Sequence, residues 1–124
     1  MTKESFAATP GAPYYAVIFT STRTAGDNGY GETADRMVEL AATMPGFLGI
    51  DSARGADGLG ITVSYWRDEA SIAHWRKNAE HIAARKLGRE AWYEHFEVRV
   101  AKVERAYGST HSARTIENET EETG

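Results

Sequence analysis

The sequence predicts an α+β domain of the ferredoxin-like, split βαβ class, in which an antiparallel sheet carries both helices on one face. Three observations predict it. Runs rich in β-branched and aromatic residues alternate with helical runs in the order strand, helix, strand, strand, helix, strand. Two strand-like runs flank Asp57-Gly58, a typical hairpin turn. Two other stretches each carry a single apolar stripe at helical spacing.

The first strand is predicted over residues 14–20, and both of its faces are apolar. One face carries Tyr15, Val17 and Phe19, and the other carries Tyr14, Ala16 and Ile18. A strand that is apolar on both sides needs cover on both sides. Because helices of the chain cover one face, we expect a second copy to cover the other in a homodimer.

Two amphipathic helices follow from the apolar stripes. Thr33 is predicted as the N-cap of the first helix, and Pro45-Gly46 ends it. The stripe of this helix consists of Met37, Leu40, Ala41 and Met44. The second helix is predicted as one long helix that begins after the N-cap Asp68 and that Gly88 ends or bends. Its buried stripe consists of Ile72, Trp75, Ala79 and Ile82.

The remaining strands are predicted over residues 47–53 and 60–66, on either side of the hairpin, and in a long final strand that ends near Val103. In the final strand the apolar residues change parity between Val100 and Ala101. Such a phase slip is what a β-bulge produces, so a bulge is predicted there.

Composition and the ends of the chain set the broad class. Residues 1–13 are predicted as a loose arm, residues 14–107 as the folded domain and residues 108–124 as a polar, acidic tail. Lys plus Arg number 14 and Asp plus Glu number 18, a net charge of −4, which argues against nucleic acid as a partner. With no cysteine and no membrane-length apolar run, we expect a soluble, cytoplasmic protein with no membrane association. No zinc-like ligand spacing is present, so no metal site is predicted.

Several short segments resemble the antibiotic biosynthesis monooxygenase family. They are Met44 to Gly49, Ser64-Tyr65-Trp66 and Trp75. Later segments are similar to an uncharacterised bacterial branch of the family: Leu87-Gly88-Arg89 through Trp92-Tyr93, Arg99-Val100 and Val103-Glu104-Arg105. The resemblance spans residues 14–107 and leaves out both ends. It implies a dimeric α/β barrel, and in some members the oxidation of polycyclic aromatic molecules by O2 without a cofactor.

Other members of the family bind and degrade haem, and the resemblance permits a residue-by-residue comparison. Those members pair a tryptophan of the second helix with a haem-ligating histidine ten residues later. Trp75 fits the tryptophan, but the position ten residues on is Arg85. They also carry an asparagine near the end of the first strand, where this chain has Ile18 to Ser21. Haem is therefore kept as an alternative, with His81 or His74 in place of the missing ligand.

Three residues are the candidates for catalysis. His81 can accept a phenolic proton. On an uninterrupted helix, however, it lies away from the buried stripe, so a surface or helix-end histidine is the plainer interpretation. Trp75 can form the floor of a pocket or simply pack the core. Arg85 can hold a carboxylate or phenolate; for the neighbouring arginines Arg89 and Arg99 the plainer interpretation is ion pairs with Glu80, Glu90 and Glu97.

Five further residues are candidates for binding a flat aromatic ligand. They are Tyr15, Phe19, Trp66, Trp92 and His74. Trp66 and Trp92 have polar neighbours and can stack on an aromatic ring, or they can line a dimer interface. The sequence thus leaves three hypotheses: a cofactor-free monooxygenase for a flat aromatic small molecule, a haem-binding protein, and a non-catalytic dimeric ligand-binding module. A deep pocket lined by Trp75 and an ionisable group would favour the first, and the absence of an internal pocket would favour the third.

Overall fold

A computed structural model describes residues 6–109 of the chain. The strands are β1 (Tyr14–Arg23), β2 (Phe47–Arg54), β3 (Leu59–Trp66) and β4 (Tyr93–Val103). The helices are α1 (Tyr30–Ala41), α2 (Glu69–Arg76) and α3 (Ala79–Leu87), and a π-helical turn, Gly88–Trp92, joins α3 to β4. The sheet order is β2-β3-β1-β4 and every pairing is antiparallel. This confirms the predicted ferredoxin-like α+β fold.

The core lies between the helices and one face of the sheet. Trp66, Trp75, Ile72 and Ala41 form its buried centre. Tyr15 and Val17 of β1 pack against that centre, and Tyr15 pairs with Trp66 across the ladder. Since side chains alternate along a strand, this face of the sheet is the one that the helices cover.

No helix within residues 6–109 lies on the opposite face of the sheet. On β3, Leu59 and Ile61 are about half exposed, at 50% and 47%. The described part of the N-terminal arm crosses one end of this face. There the amide of Ala7 donates to Oδ1 of Asp51 at 2.8 Å, and Thr9 Oγ1 donates to the Tyr14 hydroxyl at 3.0 Å. The predicted acidic tail lies outside the described residues from position 110 onward.

The first helix begins earlier than predicted. It starts at Tyr30 after an N-cap glycine, Gly29, whose φ of 82° is left-handed. Asp27 supplies the cap interactions that the sequence analysis assigned to Thr33, because its carboxylate accepts the amides of Gly29 and Gly31, both at 3.1 Å. The prediction of Thr33 as the N-cap was therefore wrong by one turn.

The second predicted helix is two helices. Asp68 caps α2 as predicted, accepting from the Ser71 amide at 2.8 Å. The helix then ends at Arg76, and Asn78 is extended (φ −65°, ψ 128°) and caps α3 by accepting from the His81 amide at 3.0 Å. The predicted uninterrupted helix was wrong because a second N-cap residue restarts it. As a result Ile82, expected in the buried stripe, is 45% exposed.

The predicted bulge between Val100 and Ala101 was also wrong. β4 pairs with β1 in unbroken register through Val17↔Val100 and Ala16↔Ala101. The register shifts instead where Thr22 and Arg23 pair with His95 and Tyr93, so that Glu94 is the extra residue. The apolar residues change parity at Val100 because β4 is an edge strand, where Val100 (52% exposed) and Ala101 both reach the surface.

Candidate functional site

The junction between α2 and α3 brings together the three residues predicted as catalytic. The His81 imidazole stacks on the Trp75 indole, with ring centroids 4.0 Å apart and planes 14° apart. The break at Asn78 produces this contact, because it resets the helical phase that would have turned His81 away from Trp75. Arg85 follows His81 by one turn of α3, which places both side chains on the same helix face.

The hydrogen bonding of His81 fixes its tautomer. Its Nδ1 lies 3.2 Å from the carbonyl oxygen of Trp75. A carbonyl only accepts, so Nδ1 carries the hydrogen and Nε2 carries the lone pair. Burial, helped by the positive charges of Arg85 and Arg76, lowers the pKa of His81 to about 4 against the opposing effect of the hydrogen bond with the Trp75 carbonyl. His81 is therefore a neutral base at physiological pH.

Arg85 is only partly partnered. One terminal nitrogen, Nη2, donates to the Arg76 carbonyl at 3.3 Å. Its Nε is buried without a hydrogen-bond partner in the described part of the chain. Burial and the charges of Arg76 and Arg89 lower the pKa of Arg85.

The carboxylates expected to neutralise the neighbouring arginines are engaged elsewhere. Glu80 pairs with Arg36 of α1, at 2.6 Å between its Oε2 and the arginine Nε. Glu97 accepts from the ring of His95 at 3.0 Å. Two of the three ion-pair partners suggested by the sequence are thus taken by other residues.

Trp66 and Tyr15 lie in the core beneath this junction. Trp66 has no exposed surface, donates from Nε1 to Ser64 Oγ at 2.9 Å, and stacks on Trp75 at 6.0 Å between centroids. The sequence left its role open between a ligand platform and packing. In the structure it supports Trp75 from behind, so Trp66, Trp75 and His81 form one stacked series.

Phe19 and Trp92 belong to a second aromatic cluster, which forms where β1 and β4 meet the π-helical turn. Phe19 contacts Tyr93 with centroids 5.1 Å apart, and Tyr30 contacts both Trp92 and Tyr93. Trp92 is buried and donates to the Asn28 carbonyl at 2.9 Å. Burial, followed by the hydrogen bond with Tyr30, raises the pKa of Tyr93.

Two arginines of this second cluster were not predicted. Arg23 places its guanidinium 3.7 Å from the centre of the Tyr30 ring, and Arg54 bonds the backbone and hydroxyl of Ser21. The two arginines connect separate segments of the chain, because their guanidinium groups donate to backbone carbonyls: Arg23 to that of Trp92 and Arg54 to that of Ser21. The contacts of Arg23 with Trp92 and of Arg54 with Ser21 join residues that are 69 and 33 positions apart, so no sequence spacing marked them. The remaining binding candidate, His74, is exposed on α2.

Two surface grooves are formed by the described residues. One, of about 330 Å³, lies between α1 and α3. It is lined by Glu32, Thr33, Arg36, Met37, Glu80, Ala83, Ala84 and Leu87. The other, of about 490 Å³, lies between the arm and the uncovered face of the sheet, around Tyr14, Asp51 and Tyr65. Neither groove is lined by Trp75 or His81, so the deep pocket that would favour catalysis is not among them.

The structure gives no support to haem binding at His81. Trp75 covers one face of the half-buried His81 ring at 4.0 Å between centroids, and His81 lines neither of the two grooves. His74 and His95 are exposed. Within residues 6–109 no cluster of three or more metal-ligating side chains occurs, and no helix is long and apolar enough to cross a membrane.

Comparison with known proteins identifies relatives of the chain. The sequence model of the antibiotic biosynthesis monooxygenase family matches residues 13–87. The uncharacterized protein YqjZ of Bacillus subtilis is 62% identical over 97 residues, covering 78% of this chain and 85% of that protein. The jasmonate monooxygenase ABM of Pyricularia oryzae is 40% identical over 43 residues, which is 35% of this chain and 20% of that protein.

Solved structures show the same fold. SnoaB of Streptomyces nogalater, described as a cofactor-independent oxygenase, superposes with a TM-score of 0.66 at 13% identity, covering 77% of this chain and 97% of that one. At this identity the similarity establishes the fold and leaves the chemistry to be argued from the site.

Proposed function

The chain belongs to the antibiotic biosynthesis monooxygenase family, and on that premise we propose that it oxygenates a flat aromatic small molecule without metal or flavin. The observation that carries this proposal is the stacked, neutral His81. Its Nε2 lone pair is unused by Trp75, and its pKa of about 4 leaves that lone pair free at physiological pH. Because so low a pKa makes the imidazole a weak base, the proton transfer also requires a neighbouring positive charge that stabilises the substrate anion. The cofactor-independent oxygenase SnoaB, which shares the fold, is consistent with such chemistry.

The substrate supplies the electrons in this reaction. His81 accepts a proton from a phenol-type ring, which leaves a ring anion that can reduce O2. For anthrone the overall change is C14H10O + O2 → C14H8O2 + H2O, so one oxygen atom enters the ring as a ketone and the other leaves as water. Arg85, whose Nε has no partner in the described residues, stabilises the anion electrostatically.

The ligand position in this proposal is the face of the imidazole that Trp75 leaves uncovered. His81 is half-buried, so part of its ring reaches the surface. An aromatic substrate stacked there would extend the series that begins with Trp66 and Trp75. A second copy of the chain, docked on the uncovered sheet face, completes the proposed homodimer.

The test is the oxidation of anthrone by the purified protein, followed by O2 uptake and by the absorbance of anthraquinone. We expect one O2 consumed per anthraquinone formed, at a rate unchanged after treatment with a chelator and after removal of any flavin. Anthrone oxidation no faster than in buffer alone, across related phenols, would contradict the proposal.

One observation favours a second candidate, a non-catalytic ligand-binding module. Neither of the two grooves described above is lined by Trp75 or His81. The two rings stack directly on each other, with centroids 4.0 Å apart, so no ligand lies between them. Saturable binding of anthrone to the protein with no consumption of O2 would establish this second function in place of the first.

A further inference from the structure

We propose that Arg76, Arg85 and Arg89 together bind a carboxylate of the ligand, so that the physiological substrate is a flat aromatic acid. The inference deepens the proposed function, because it takes the ligand ring to lie at the same His81–Trp75 stack. It concerns a binding site, however, and its test requires no turnover.

The three arginines form a cationic cluster that pairs with no carboxylate of the described residues. Nη2 of Arg85 donates to the backbone carbonyl of Arg76 at 3.3 Å, and Arg89 follows Arg85 by four residues in the sequence. The positive charges of Arg76 and Arg89 help to lower the pKa of Arg85. The ion pairs formed within residues 6–109 involve Arg36, Arg67 and His95, and none includes a member of this cluster. Three like charges at one place are unfavourable unless an anion offsets them.

Arg85 also has an unused hydrogen-bond donor within the cluster. Its Nε is buried and has no partner among the described residues. A buried donor that is left unpaired is destabilising. A guanidinium binds a carboxylate through two parallel N–H donors, so an incoming carboxylate would satisfy the donor and the charge at the same time.

The position of the cluster specifies what the carboxylate is attached to. Arg85 lies one helical turn beyond His81, and neighbours at that spacing are about 5–6 Å apart at Cβ. His81 continues the aromatic stack of Trp66 and Trp75. If the aromatic ring of the ligand stacks on His81, a substituent on that ring lies close to Arg85. A carboxylate is the substituent that the arginines would bind.

The experiment compares naphthoate with its neutral amide by isothermal titration calorimetry of the full chain, in a buffer free of phosphate and carboxylates. A charge-assisted contact is worth about 1.5–3 kcal/mol, so naphthoate is expected to bind roughly 10- to 100-fold more tightly than the amide. Arg85→Gln should remove this preference, and Arg76→Gln and Arg89→Gln should each reduce it. Lys86→Gln, which removes a positive charge from the same helix outside the cluster, should leave it intact.

Inorganic phosphate alone is the third ligand. Its binding should be much weaker than that of naphthoate, because it lacks the ring. The proposal is overturned if naphthoate and the amide bind equally, if neither binds, if phosphate binds as tightly as naphthoate, or if the preference survives in Arg85→Gln. Should Arg85→Gln fail to fold by circular dichroism, an undiminished preference in both Arg76→Gln and Arg89→Gln overturns it instead. A failure to oxidise anthrone would contradict the proposed function and leave these binding results unaffected.

Discussion

At the level of single residues, the protonation state of His81 determines what the α2–α3 junction can do. Its pKa is about 4 in the folded chain and 6.5 when unperturbed. Between these values the unfolded chain binds a proton that the folded chain does not, so folding becomes less favourable as the pH falls. Above pH 6.5 His81 is neutral in both the folded and the unfolded chain, so its contribution to the free energy of unfolding does not change with pH. Below pH 4 it is protonated in both, and that contribution has been lost completely.

This gives a testable dependence of stability on pH. We expect His81→Gln to lose less stability than the wild type between pH 7.5 and pH 4, by roughly 1–2 kcal/mol after allowance for the solvent contact of a half-buried ring. Urea unfolding at several pH values measures the difference. His95→Gln is the control, because His95 is exposed beside Glu97. A His81→Gln curve parallel to that of the wild type would contradict a depressed pKa.

Gly88 makes a second residue-scale prediction. Its backbone is helical and needs no glycine, but an added Cβ would lie 2.9 Å from Cε2 of Tyr93. Gly88→Ala should therefore lower the free energy of unfolding by about 1–3 kcal/mol through overpacking. Gly11→Ala, where the added atom meets nothing within 4 Å, should change it by less than about 0.5 kcal/mol. Equal effects of the two changes in urea unfolding would show that the contact with Tyr93 does not matter.

At the level of elements, the cap at Asn78 orients the candidate base. Asn78→Ala removes the acceptor of the His81 amide and should cost about 1 kcal/mol. It should also let His81 leave Trp75, so that the histidine pKa measured by NMR rises toward 6.5. Asp68→Ala removes the cap of α2 and should cost a similar amount without that rise. An unchanged His81 pKa in Asn78→Ala would refute the positioning role.

The same element shows how far the sequence could predict the site. Alternation, the Asp57-Gly58 turn and the Asp68 cap were enough to predict the fold, because each is a local signal. The contact of His81 with Trp75 was not predictable by periodicity, since it depends on a helix break at Asn78. That break was missed because Asn78 lies inside an otherwise continuous helical pattern, where a capping asparagine and an interior one look alike. The Arg23 and Arg54 contacts depend on distant backbone carbonyls, which carry no sequence signal.

At the level of the whole molecule, the uncovered sheet face predicts the homodimer. Ile61→Glu places a charge on that face, where Ile61 is 47% exposed, and burial of the charge should raise the dimer dissociation constant at least about 100-fold. Val38→Glu is the matched control, because Val38 is 44% exposed on α1. Analytical ultracentrifugation measures both variants. A monomeric wild type, or equal effects of the two changes, would show that the sheet face is not the interface.

The central claim is that His81, stacked on Trp75, is the base of an oxygenation reaction, and the most direct test is the turnover number of His81→Gln with anthrone. Loss of a general base lowers turnover by roughly 100- to 10,000-fold, so a decrease in that range is expected, with His95→Gln unchanged. The affinity for anthrone should stay within about threefold of the wild type, because glutamine preserves the bulk of the side chain. Turnover by His81→Gln equal to that of the wild type would contradict the account.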